Sequence, residues 1–221
     1  LEFVSTLKLF DRSRFRWNVN LLASFNDIIN VEVPEQEYIA NYAYLVSPRN
    51  NYSQNAMWSY RWGGLNDEGE PTILNDQGAR LDAAEQSALV FSGVTIAPNT
   101  GSINQFIDVA DFFFQTRINW QSGGVMRKYI PAPSSAIDHH SDLIYRWRKP
   151  GDENLTDIPK LANYHLGREL ITQNSTNSIL SSDFVRLEEV QVGYHFPRHI
   201  TAPMRMSRLS VSVQMNNIWF W

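Results

Sequence analysis

The most constraining feature of this chain is an alternation. Phe15, Trp17, Val19, Leu21, Ala23 and Phe25 are apolar, and Arg16, Asn18, Asn20, Ser24 and Asn26 between them are polar, with Leu22 as the exception. A period of two sends successive side chains to opposite faces of an extended strand. The length of the run matters as much as its period. Soluble strands mostly end after about 5–6 residues, whereas a strand tilted across a bilayer needs about 9–11. The polar face carries Asn and Ser rather than Lys and Glu. A water-filled lumen tolerates that, while the outside of a soluble sandwich usually carries more charge.

The same period recurs along the chain. Leu1, Phe3, Leu7 and Leu9 share one parity, and Asp11-Arg12-Ser13-Arg14 reads as the turn into the next strand. Phe112, Phe114, Thr116, Ile118 and Trp120 alternate with Phe113, Gln115, Arg117 and Asn119. Val185 and Leu187 hand over to Val190, Val192, Tyr194 and Phe196, a parity switch that predicts a β-bulge at Glu188-Glu189. Leu209, Val211, Val213 and Met215 alternate with Ser210, Ser212, Gln214 and Asn216. Strands are therefore predicted at about 1–10, 15–32, 104–109, 111–121, 184–196 and 206–219.

Between them lie two long excursions, residues 32–103 and 129–182, rich in Asn, Gly and Pro. Short helices are predicted within Pro34 to Leu45 and Asp82 to Ala88. Loops of such length are uncommon unless functional, and barrels place long loops on the extracellular side. The pattern predicts an all-β fold: an antiparallel transmembrane β-barrel segment, a partial barrel with long extracellular loops.

Composition narrows the function classes. A net charge of −4 excludes the concentrated basic surface of a nucleic-acid binder. Without cysteine there is neither a disulfide framework nor a thiolate metal site. Seven Trp, nine Tyr and twelve Phe in a chain of mean hydropathy −0.34 fit either ligand stacking or aromatic girdles at membrane interfaces. No apolar run is long enough for a transmembrane helix, which leaves strands as the way to cross a membrane.

Four stretches carry a family resemblance. Tyr60-Arg61-Trp62-Gly63-Gly64-Leu65-Asn66 runs on to Glu68-Gly69-Glu70-Pro71, and Arg146-Trp147-Arg148-Lys149-Pro150-Gly151-Asp152 runs on to Ile158-Pro159-Lys160-Leu161. Ser182 to Pro197 and Leu209 to Trp219 complete the set. Their order and spacing resemble the C-terminal β-barrel portion of SusC/RagA-family TonB-dependent transporters. Asn66 stands where that family usually has Asp, and Met215 interrupts a Gln-Asn pair. The resemblance covers residues 1–221 as one barrel portion, with the plug domain and the final strands expected outside it.

The resemblance implies nutrient uptake across a Bacteroidetes-type, Gram-negative outer membrane, through a multi-pass barrel. The substrate would be glycan or peptide fragments. The partners would be a SusD-like surface lipoprotein, a TonB complex reached through the plug region, and outer-membrane lipid. It implies no enzyme, no cofactor and no nucleic acid. The alternative from the residues themselves is a soluble carbohydrate-binding β-domain with short strands.

Trp58, Tyr60, Arg61 and Trp62 are the candidate ligand-binding residues, because flat rings stack on sugars and Arg binds hydroxyls or carboxylates. Their competing reading is packing or a membrane girdle. Trp17, Trp120, Tyr194, Trp219 and Trp221 read as girdle residues. Asp138-His139-His140-Ser141-Asp142 resembles a metal cluster, but adjacent histidines on a strand diverge, so a solvated loop is the simpler reading and no metal site is assigned. Glu188-Glu189 would diverge likewise, and no Gly-x-Ser-x-Gly elbow occurs, so no catalytic residue is assigned.

Overall fold

The computed structural model describes residues 1–34, 45, 47–133 and 140–221. The helix predicted within Pro34 to Leu45 falls, apart from its two ends, outside the described residues, as do Asp138 and His139. Strands along the chain are β1 (Glu2–Arg12), β2 (Phe15–Phe25), β3 (Ala56–Tyr60), β4 (Trp62–Leu65), β5 (Pro71–Leu74), β6 (Arg80–Leu81) and β7 (Leu89–Val94). They continue as β8 (Asn99–Val109), β9 (Phe112–Ser122), β10 (Val125–Arg127), β11 (Ile179–Ser181), β12 (Phe184–His195) and β13 (Ser210–Phe220). Two short α-helices are α1 (Leu166–Asn174) and α2 (Arg198–Thr201). The chain divides into two units: residues 1–27, 97–123 and 182–221, and residues 28–96 and 124–181.

The first unit is one antiparallel sheet in the order β1-β2-β8-β9-β12-β13. Its strands run 11 or 12 residues, the length a membrane strand needs rather than a soluble one. β2 stops at Phe25 instead of reaching residue 32, and β8 begins at Asn99 rather than 104. Phe25 pairs with Asn99, and the next residue outward is Pro98, which has no N–H to extend the ladder. β1 and β2 join through Ser13-Arg14, β8 and β9 through Ala110-Asp111, and β12 and β13 through residues 196–209. All three connections lie at one end of the sheet. The chain leaves β2 and β9 for the two excursions at the other end.

Register shows the sheet to be two-faced. One face takes Phe3, Leu7 and Phe10 from β1, and Phe15, Trp17, Val19, Leu21 and Phe25 from β2. Across β8 and β9 it continues with Ile107, Ile103, Phe112, Phe114, Ile118 and Trp120. It closes with Tyr194, Val192, Val190 and Leu187 of β12 and Val211, Val213, Met215 and Trp219 of β13. A bulge between Lys8 and Phe10 gives the position expected of Leu9 to Phe10. The opposite face carries Asn18, Asn20, Ser24, Asn104, Gln115, Arg117, Asn119, Gln191 and Gln214. None of the large apolar side chains on the first face is buried, and Val213 remains 70% exposed.

The second unit is built otherwise. Its sheets are small, β3-β7, β4-β5-β6 and β10-β11, beside α1. Its core is Tyr60, Ile73, Ala84, Ala88 and Ile171, with Leu45, Trp62, Leu81 and Leu89 packed around it. These short strands and α1 were absent from the sequence expectation, while a 3-10 turn at Gln86–Ala88 occupies part of the helix predicted at 82–88. The inward face of α1 is Arg168, Ile171 and Thr172, too polar to show as an apolar stripe.

Candidate functional site

The aromatic residues of the apolar face sort to its two ends. Phe10, Phe15, Trp17, Phe112 and Tyr194 lie toward the short connections, and Phe25, Trp120, Trp219 and Trp221 toward the opposite end. Phe10 packs on Phe15 and Trp17 at 5.4 and 6.1 Å, and Phe112 on Tyr194 at 4.9 Å. Between the rows Val19, Leu21, Ile103, Ile118, Val190 and Met215 predominate, with Ser5, Gln105 and Thr116 as the polar members. From Phe112 to Trp120 the rows stand about 27 Å apart along the strand, or about 21 Å in height at a tilt of about 40°. The five residues read as a girdle all fall in these rows.

The polar face holds a charged network at the predicted bulge. Register shifts between Leu187 and Glu189 against both neighbouring strands. The extra residue turns Glu189 to the same face as Glu188, so the expectation that the two carboxylates diverge is corrected. Glu188 accepts from Asn119 Nδ2, and Glu189 lies 3.6 Å from Arg117. Arg117 Nε also donates to Asn104 Oδ1 at 3.0 Å. Each carboxylate thus has a donor across the ladder, an arrangement suited to a polar wall.

In the second unit the matched motifs meet one another. Asn66 Oδ1 accepts from the N–H groups of Glu68 and Glu70, so Asn performs the turn-closing task open to Asp at that place. Gly69 lies under the Trp147 ring: a Cβ there would fall 2.4 Å from Trp147 Cδ2. Asp152 Oδ2 accepts from the N–H groups of Arg148 and Lys149, and Glu153 accepts from Trp147 Nε1 at 3.1 Å and from Gly151 N at 2.7 Å. Hydrogen bonds from its own backbone, from Trp147 and from Gly151 hold the Glu153 carboxyl below its usual range. These motifs are legible because they fold this unit.

Arg168 ties its segments together. Its guanidinium donates to Glu70 Oε2 at 2.7 Å and to the carbonyls of Pro133 and Lys160, while Lys160 Nζ lies 3.2 Å from Glu70. Beside it opens a cavity of about 410 Å³ lined by Glu70, Pro71, Asp82, Ala162, Asn163, His165 and Arg168. Arg127 makes a second tie, donating to Trp58 O at 2.6 Å and to Ser59 Oγ and Ser178 Oγ, and burial lowers its pKa.

The four candidate ligand residues separate. Tyr60 is fully buried and Trp58 is 4% exposed, so these two rings present almost no surface to a ligand. Burial raises the Tyr60 phenol above its ordinary value. Trp58 packs edge-on against Tyr52 and Phe91, with the Arg49 guanidinium 3.5 Å over its ring. Trp62 and Arg61 are half-buried, the first donating from Nε1 to Asp157 and the second from Nη1 to Asn75 O. The sequence spacing missed Arg168 and Glu70, which lie 98 positions apart and become partners only through the fold. Among the described residues no group of three or more His, Asp or Glu is placed to hold a metal. Of the paired histidines His139 and His140, His140 is described, and it caps the 3-10 turn Ser141–Tyr145 through Asp142 N.

The long strands, the single uncovered apolar face and its two aromatic rows define a membrane-type antiparallel β-sheet. No family model matches the chain. It is 27% identical over 170 residues to the TonB-dependent receptor P39 of Formosa agariphila, a match covering 69% of this chain and 15% of that receptor. Its fold matches a chain of the RagAB peptide importer in the open-open state with a TM-score of 0.73 at 12% identity, over all of this chain and 24% of that one. The closed-closed state of the same importer gives 0.68, over 25% of that chain. This chain thus spans a quarter or less of the length of these proteins. In sequence the chain is thus similar to part of a TonB-dependent receptor, and in fold to part of a RagAB importer chain.

Proposed function

We propose that this chain forms part of the wall and extracellular loops of an outer-membrane transporter that imports oligosaccharide or peptide fragments. The observation that carries the reading is the uncovered apolar face with an aromatic row at each end. In water such a face would associate or be covered; in a bilayer it meets lipid, and the Asn- and Gln-rich face meets the lumen. Short connections are then periplasmic, and the excursions of the second unit extracellular, where a SusD-like lipoprotein would dock. TonB would act through a plug region. Trp62 and Arg61 are the members of the aromatic segment proposed to reach substrate. A soluble carbohydrate-binding domain would require the apolar face to be closed inside a sandwich, and no observation favours it.

The test is made on the intact protein. It should fractionate with the outer membrane, need detergent for extraction, and be required for growth on a defined oligosaccharide or peptide. Trp62→Ala should weaken growth at limiting substrate without lowering the amount in the membrane. Recovery of the intact protein as a monodisperse species in plain buffer would defeat the proposal.

A further inference from the structure

The connection from Phe196 to Leu209 contains Arg198, His199, Arg205 and Arg208 and no Asp or Glu, within a chain of net charge −4. All three arginines are exposed. Among the described residues none of them makes an ion pair with a carboxylate; Arg208 Nη2 lies instead 3.2 Å from His195 Nε2. Ile200, Met204 and Met206 are interleaved with these cations and are also exposed. The connection follows directly on the aromatic row: Tyr194 packs against Phe112 at 4.9 Å and edge-on against Phe196 at 5.2 Å.

We propose that residues 196–209 form a docking surface for anionic phospholipid headgroups at the short-connection edge of the sheet. This rests on the membrane reading above. Guanidinium groups recognise phosphate by charge-assisted, two-pronged hydrogen bonding. Apolar side chains set among cations beside an aromatic row suit the headgroup and acyl-chain boundary. An acidic protein partner would be served by the charges alone, but would leave Ile200, Met204 and Met206 without a role. Each arginine near an anionic surface contributes about a fivefold preference.

The test uses the full transporter containing this chain, reconstituted in bilayers of phosphatidylethanolamine with a minor share of phosphatidylglycerol, with retained lipid counted by native mass spectrometry. The wild type should retain phosphatidylglycerol at least tenfold over its bilayer share. The triple variant Arg198→Gln, Arg205→Gln, Arg208→Gln should fall to within about twofold of that share, while Arg117→Gln on the polar face should not change it. For the wild type alone, about 1 M salt, where screening acts within about 3 Å, should also reduce the preference. A triple variant that keeps the preference, or a salt-insensitive wild type, would overturn the proposal. Insertion without lipid discrimination would overturn it alone; failure of the wild type to enter bilayers would overturn the membrane reading as well.

Discussion

Trp219 and Val213 in the first unit are 67% and 70% exposed, while Tyr60, Ile73 and Ile171 in the second are at 0%. Both units are rich in aromatic and branched apolar residues, yet one holds them outward in a single layer and the other folds them inward. The second unit is built around its own buried cluster, and its stability comes from apolar area removed from water. The first has no such interior; its sheet is held by its hydrogen-bond ladders and by whatever apolar medium meets its outer face. One chain thus contains two solvents' worth of folding rules, and a substitution should act by the rule of the unit it falls in.

The sharpest break of that contrast is Tyr60→Ala. Removing a fully buried ring should cost the second unit about 3–5 kcal/mol. Hydrogen exchange on the intact protein should speed up in β3, β5 and α1 and stay unchanged in the six long strands. Loss of protection spread evenly over both units would show that they do not fold by separate rules.

Next in size is a pair of neighbours. Leu21 lies mid-strand on the apolar face and Asn20 on the polar one. Leu21→Arg would place a charge near the bilayer centre at about 2–4 kcal/mol. It should lower the amount of assembled protein in the outer membrane, with uptake falling in proportion. Asn20→Arg, one residue away, should leave that amount near wild type. Equal losses from the two would remove the assignment of faces.

A smaller effect tests the tie within the second unit. Arg168→Met keeps the side chain's bulk and deletes its donors to Glu70, Pro133 and Lys160. Leaving these acceptors underused should cost about 1–3 kcal/mol, less than a full buried pair because Glu70 retains Lys160. Protease nicking of the excursions should increase, and membrane abundance should hold.

The same contrast explains what the sequence made legible. A long strand with one apolar and one polar face writes that division into every second residue, so Phe15 to Phe25, Phe112 to Trp120 and Leu209 to Met215 could be read directly. The parity switch at Glu188 showed the bulge, yet not that it would bring Glu188 and Glu189 to one face, because that depends on pairing with Arg117 and Asn119. The second unit is built from strands of 2–6 residues, too short for a period to show. Trp58 and Tyr60 could be read either as ligand platforms or as packing, because burial, not residue type, separates a core ring from a binding ring. The family motifs around Gly69, Trp147 and Asp152 were readable, although their shared purpose appears only when Trp147 is seen lying over Gly69.

The smallest effect expected is a pH response confined to that motif pair. Hydrogen bonds from its own backbone N–H, from Trp147 Nε1 and from Gly151 N favour the charged form of Glu153 and hold its pKa below the ordinary 4.5. A depressed carboxyl contributes its stabilisation in full above the ordinary value, and loses it as pH falls through the depressed one. Neutral pH is therefore on the stable side, and the loss lies in acid below 4.5. Because Glu153 is partly exposed, the consequence should be local: Trp147 should loosen from Gly69 while the sheets of both units persist. Trp147 can be isolated as the fluorescence difference between the wild type and Trp147→Phe. That difference signal should shift on acidification in the wild type and be flat in Glu153→Gln, which keeps an acceptor oxygen but cannot titrate. A signal that shifts equally in Glu153→Gln would assign the acid response to other carboxylates of the second unit.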